Sequence, residues 1–182
     1  DWAYSRKAGA TLALSDTAKA LYEFAQLFDR CPSRRREADL SLRIKGIRFQ
    51  EKALDYCQNN DEKAAVYALS AIQPLEDGLP MLKKVTELNH KNTLVELITA
   101  REINKNEYYS NGEIPYVEDT LAYEKRRDES KSYFEQLGDF CVENASNKAL
   151  GNPSFWYTSA SYVAYVNKDY KKSEEYLTQA KA

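Results

Sequence analysis

At 182 residues the chain is long enough for one domain or for about five helical repeats of roughly 34 residues, and either buries about 70% of its unfolded surface. Its 26 Lys and Arg nearly cancel its 28 Asp and Glu, so it lacks the long-range field that draws a protein to nucleic acid or to an anionic membrane. No apolar run approaches the roughly 18 residues that crossing a bilayer requires.

Apolar residues recur at three- and four-residue spacing almost throughout, the mark of helices with one buried stripe. The first clear stripe, Leu21, Phe24, Ala25 and Phe28, belongs to a helix that Ser15 or Asp16 caps and Pro32 ends. Leu40, Ile44, Ile47 and Leu54 mark a second, longer helix over about 36–57. Gln58-Asn59-Asn60-Asp61 interrupts the pattern with turn and cap residues, and Ala65, Ala68, Leu69 and Ile72 start a third stripe that Pro74 closes. Two helices joined by that four-residue turn form a hairpin. A further pair is expected over about 79–88 and 93–104, joined at Asn89-His90-Lys91-Asn92, with Thr93 and Glu96 as a capping box.

From 105 to 119 the periodicity fails, with Asn111-Gly112 and Ile114-Pro115 as breakers, so a long loop or insertion carrying Tyr108, Tyr109 and Tyr116 is expected there. A long helix over about 120–144 follows, with Tyr133, Phe134, Leu137, Phe140 and Cys141 on its inner face. Asn147 to Gly151 then turns, Asn152 caps, and Pro153 takes the first helical position, where a backbone N–H would be unpaired anyway. No alternating run is strong enough to name a strand. The expected class is therefore all-α.

The closing segment reads as helix, tight turn, helix. Tyr157, Ala160, Ser161 and Ala164, then Ser173, Leu177 and Ala180, fall where a tetratricopeptide repeat places large and small residues so that its two helices can approach. The turn Asn167-Lys168-Asp169-Tyr170 resembles that repeat's glycine-aspartate-tyrosine corner, with Lys168 in place of the Gly, Ala164 in place of the usual Tyr, and Trp156 one residue early. Residues 59–72 offer a second copy, in which Asp61, Ala65, Leu69 and Ile72 line up with Asp169, Ser173, Leu177 and Ala180 at an offset of 108 residues. The expected architecture is one domain over 1–182 of antiparallel helix pairs stacked as a tetratricopeptide-like α-solenoid; the alternative is an irregular α bundle, whose contacting helices also need small residues.

Arg30-Cys31-Pro32-Ser33-Arg34-Arg35, Arg101-Glu102-Ile103-Asn104-Lys105 and Phe155-Trp156-Tyr157 resemble uncharacterised extracytoplasmic helical-repeat proteins of gut bacteria. The resemblance implies an exported protein and carries over no catalytic residue. The chain begins Asp1-Trp2-Ala3-Tyr4 and its only methionine is Met81, so a signal segment or a larger N-terminal portion is expected to precede it. A cytoplasmic setting is the alternative.

Enzymatic chemistry finds little to work with. The single histidine, His90, falls in a turn; the six glycines are scattered and form no phosphate loop; and adjacent carboxylates such as Glu118-Asp119 or Glu174-Glu175 diverge by about 100° on a helix. Cys31, Cys57 and Cys141 have neither the spacing of a disulfide framework nor a CxxC partner, so no metal and no cofactor is expected. Asn144-Ala145-Ser146 matches a glycosylation acceptor, a triplet common by chance, and Arg34-Arg35-Arg36 is either a solvated corner or a contact for an acidic partner.

The one compositional excess is tyrosine, with 14 residues. Exposed Tyr offers a flat apolar face with a hydroxyl, suited to anchoring a peptide or stacking on a sugar. The expected function is a non-enzymatic scaffold binding a protein or peptide, with Tyr108, Tyr109, Tyr116, Tyr162 and Tyr165 as the candidate contacts. A cell-surface glycan-binding or nutrient-uptake accessory protein and a plain structural spacer are the alternatives.

Overall fold

The computed structural model describes residues 1–43, 47–73, 77–110 and 120–181, with backbone alone for 47, 108–110 and 120–127. Among the described residues every regular element is helical, in ten α-helices with no strand, so the expected all-α class is what the chain adopts. No helix among them is long and apolar enough to cross a membrane.

Helix α1 (Trp2–Ala13) has no counterpart in the sequence reading, because its buried contacts are the small Ser5 and Ala8 and its apolar stripe is thin. Helix α2 (Thr17–Arg30) follows expectation: Asp16 Oδ1 accepts from the Lys19 N–H at 3.1 Å, and Leu21, Phe24, Ala25 and Phe28 are buried. The long helix expected over 36–57 is instead two short ones, α3 (Arg35–Leu42) and α4 (Gln50–Leu54). The chain leaves the helical region at Arg43, φ −49° and ψ 127°, and re-enters through a 3-10 turn at Ile47–Phe49. The buried face consequently changes phase: Leu40 is 49% exposed, while Ala38, Leu42 and Ala53 face inward. Ile44 and the side chain of Ile47 lie outside the described set.

Helix α5 (Asn60–Ala71) opens on a reciprocal cap. The Asn59 carboxamide accepts from the Glu62 N–H at 3.0 Å, and the Glu62 carboxylate reaches back to the Gln58 N–H at 2.9 Å. The cap is therefore Asn59 and not Asp61, and it stands 110 residues before the cap Asp169, so the 108-residue register is not kept at the helix start. Ala65, Ala68, Leu69 and Ile72 are buried as expected. Pro74 lies outside the described residues.

Helices α6 (Gly78–Leu88) and α7 (Leu94–Ser110) correspond to the next expected pair, but α7 runs six residues past 104. Residues 105–110 contain no helix breaker, and Asn106 is buried with its Nδ2 donating to the Glu102 carbonyl at 2.8 Å, which holds that turn. The expected loop of 105–119 thus loses its first six residues to α7, and 111–119 lie outside the described residues. Helix α8 (Thr120–Ser146) buries Phe134, Leu137, Phe140 and Cys141, while Tyr133 is half-buried. Helix α9 (Pro153–Val166) starts as expected, with Asn152 Oδ1 accepting from the Phe155 N–H at 3.3 Å, and α10 (Tyr170–Ala180) starts with Asp169 accepting from the Lys172 N–H at 3.2 Å.

Two corners are built alike. After α1, Ser15 adopts φ +67°, its N–H donates to the Leu12 carbonyl, the Asp16 N–H donates to the Thr11 carbonyl, and Asp16 then caps α2. After α9, Lys168 adopts φ +62°, with its N–H on the Tyr165 carbonyl and the Asp169 N–H on the Ala164 carbonyl, and Asp169 caps α10. Both satisfy the last carbonyls of one helix and the first N–H groups of the next within one left-handed residue. That residue is where glycine is least strained. Lys168→Gly is expected to stabilise the α9–α10 hairpin by about 0.5–1 kcal/mol, measured by urea denaturation, because relief of the left-handed strain exceeds glycine's entropy cost.

The chain divides into two compact units, Asp1–Ile98 and Thr99–Ala182. In the first, α1 packs on α2, α2 on α3, α4 and α5, and α5 on α6. Alanines at 64, 65, 68 and 71 are wholly buried, and their small side chains suit α5 to packing against both α2 and α6. Buried Glu23 ties α1 to α2 through Lys7 at 3.0 Å and the Thr11 hydroxyl at 2.7 Å. In the second, α9 packs between α8 and α10. Gly138 lets α8 close on α9, since a Cβ there would stand 2.8 Å from Val163 Cγ1. The hydroxyls of Ser161 and Ser154 donate to the Ser173 and Ala180 carbonyls at 2.8 Å each, closing the α9–α10 hairpin along its length.

Candidate functional site

Within the second unit, Phe155, Thr158, Ser159 and Tyr162 recur at three- and four-residue spacing along one side of α9. They face Ala100, Ile103 and Asn104 of α7 across an open groove of about 480 Å³. Ile103 is buried and Phe155 half-buried, which makes the floor apolar; Thr158, Asn104 and Ser154 are exposed and make a polar, uncharged border. Trp156 stands behind the floor, 1% exposed, with its ring 5.1 Å from Phe155 and 5.9 Å from Phe140, both edge-on.

Tyr162 closes one end. Its hydroxyl donates to Glu107 Oε1 at 2.5 Å, and that bond, ahead of burial, pushes the phenol above its ordinary pKa. Beneath the groove, wholly buried Glu102 accepts from the Tyr133 hydroxyl at 2.6 Å and has Lys105 at 3.6 Å and Arg101 at 3.5 Å, so α7 and α8 share a compensated charge.

The tyrosines singled out in the sequence are dispersed. Tyr162 is at the groove, 39% exposed. Tyr165, only three residues on, is 58% exposed and turns to the corner, where its ring meets Tyr170 at 5.8 Å. Tyr108 and Tyr109 have their backbone in the last turn of α7, with side chains outside the described set, and Tyr116 lies outside the described residues. The residues that join Tyr162, namely Ile103, Asn104, Glu107, Phe155 and Thr158, are not among the tyrosines to which the sequence points. The Phe155, Thr158, Tyr162 spacing was the available signal; the facing residues on α7 have none, being about 50 positions away.

A second cleft of about 370 Å³ lies over α9 between α8 and α10. Its walls mix Lys131 and Lys172 with Glu135, Asp139 and Asp169, so charges of both signs compensate one another. Arg34 and Arg35 of the basic run are engaged internally: Arg34 pairs with Glu37 at 2.9 Å and lies 5.9 Å from the Trp2 ring, and Arg35 donates to the Phe28 carbonyl at 3.0 Å. Burial pushes the thiols of Cys57 to about 11 and of Cys141 to about 12, which keeps both protonated at neutral pH. No cluster of three metal-ligating side chains occurs among the described residues.

No family model, no curated protein and no solved structure matches this chain.

Proposed function

We propose that the chain is a non-enzymatic, tetratricopeptide-like helical-repeat scaffold whose α7–α9 groove receives a short segment of a protein partner. The observation that carries this reading is the groove itself: an apolar floor, a neutral polar border and an aromatic at one end, the make-up of a surface that buries one side chain and orients the backbone around it. The repeat reading draws support from the two matching corners, which place Asp16 and Asp169 at the same point of their hairpins 153 residues apart. Laying one hairpin on the other pairs Tyr4 with Tyr157, Ala8 with Ser161, Ala20 with Ser173 and Phe24 with Leu177, and puts Pro32 where such a repeat ends. Helices α5 and α7 also begin 34 residues apart, one repeat length. The resemblance to exported helical-repeat proteins favours an extracytoplasmic setting.

Thr158→Arg fills the groove from an exposed position without touching the core. Peptides selected from a random display library against the intact chain are expected to lose about tenfold or more in affinity for this variant while its melting temperature is unchanged. Recovery of sugars on a glycan array, with no peptide selected, would replace the scaffold reading by the glycan-binding one.

A further inference from the structure

We infer that the segment received by the α7–α9 groove carries a cationic side chain, Arg or Lys, beside its apolar anchor; this rests on the groove being the binding site. Among the described lining residues none is charged, and the apolar floor of Ala100, Ile103 and Phe155 selects only for an apolar side chain. Among the described residues, a charged group reaches the lining at Glu107, through its bond to Tyr162. Glu107 follows Ile103 by four residues and Asn104 by three, so it shares their face of α7 and stands at the groove's end. Its Oε1 accepts from the Tyr162 hydroxyl, and Oε2 accepts from no described residue.

The Tyr162 phenol is held above its ordinary pKa and stays neutral, so this end of the groove presents one carboxylate beside one aromatic ring. Both attract a cation: the carboxylate by direct pairing, the ring through its negative face, and a guanidinium satisfies both at once through its planar fork. An acidic segment would meet Glu107 at like charge, and a purely apolar one would leave the carboxylate unused. Apolar anchor plus adjacent Arg or Lys is the chemistry that complements floor and end together.

The test is an NMR titration of the isotope-labelled full chain with three acetylated, amidated peptides: Gly-Ser-Leu-Arg-Ser-Gly, the same with Glu for Arg, and the same with Ser for Leu. The amide resonances of Ile103, Asn104, Thr158 and Tyr162 are expected to move, with the Arg peptide binding roughly fivefold tighter than the Glu peptide, the scale of an exposed ion pair. Glu107→Gln, at a half-exposed surface position, should bring the two peptides to within about twofold of each other. Raising salt from about 50 to 500 mM should do the same to the unmodified chain. Equal response to the Arg and Glu peptides, or a preference that survives Glu107→Gln, overturns the charge inference and leaves the groove standing. If no peptide moves these resonances, the groove is not a peptide site and the inference falls with it.

Discussion

Replacing Trp156 by alanine is expected to destabilise the second unit by about 3–5 kcal/mol, the range for deleting a large aromatic from a close-packed core. Trp156 is 1% exposed and joins α9 to α8: its ring meets Phe140 of α8 and its own neighbour Phe155 edge-on, and it backs the floor of the groove. The cavity cannot close cheaply, because α8 and α9 are already in contact at Gly138 and Val163. Native-state hydrogen exchange should show amide protection in α8 and α9 falling roughly a hundredfold or more. Trp156→Phe separates two terms. The indole N–H has no partner among the described residues, so phenylalanine removes an orphan donor while keeping most of the apolar contact, and about 1 kcal/mol or less should be lost. A loss for Trp156→Ala under about 1 kcal/mol would mean that this residue does not hold α8 to α9.

The second large effect is expected at Glu62 in the first unit. Its carboxylate accepts from the Gln58 N–H at 2.9 Å and from the Tyr22 hydroxyl at 3.1 Å, and has Arg30 at 3.4 Å. The ion pair itself is worth little, because the Arg30 side chain is 59% exposed. The hydrogen bonds matter more: without them the Gln58 N–H just ahead of the helix cap and a half-buried phenol lose their acceptor. Glu62→Ala should cost about 2–3 kcal/mol by urea denaturation, and Glu62→Gln, which keeps an acceptor, about 1 kcal/mol. A spectroscopic signature accompanies both. Burial, and then the bond to Glu62, push the Tyr22 phenol up to about 12, so removing the carboxylate should lower that value toward the ordinary tyrosine range in an ultraviolet titration. An unchanged Tyr22 titration would show that the two side chains are not coupled.

Legibility in the sequence followed the range of the interaction. The starts of α2 and α9 were readable because a cap is a bond between residues three apart, as in Asp16 to Lys19 and Asn152 to Phe155, and that of α10 was readable through its turn Asn167-Lys168-Asp169-Tyr170. The inner face of α8 was readable because Phe134, Leu137, Phe140 and Cys141 repeat at helical spacing. Helix α1 was not, because what it buries are Ser5 and Ala8, which carry no hydrophobic signal. The break between α3 and α4 was not either: Leu40, Ile44, Ile47 and Leu54 make a continuous stripe on paper, and only the dihedrals at Arg43 end it. At the groove, α9 was half legible through Tyr162; Ile103 lies inside the expected helix but nothing local sets it beside α9, and Glu107 lies past 104, where the helical continuation has no apolar period to announce it.

By itself the sequence determined the class of structure and most helix boundaries, since caps, turn residues and apolar period act within one or two turns of chain. Tertiary structure alone decided which helix lies beside which, that α5 packs between α2 and α6, and that Tyr162 meets Glu107 across 55 residues. Those choices follow from close packing of whole faces, in which small residues such as Gly138 and the α5 alanines set how near two helices come. No single residue records them, because a face acquires its partner only when both are assembled.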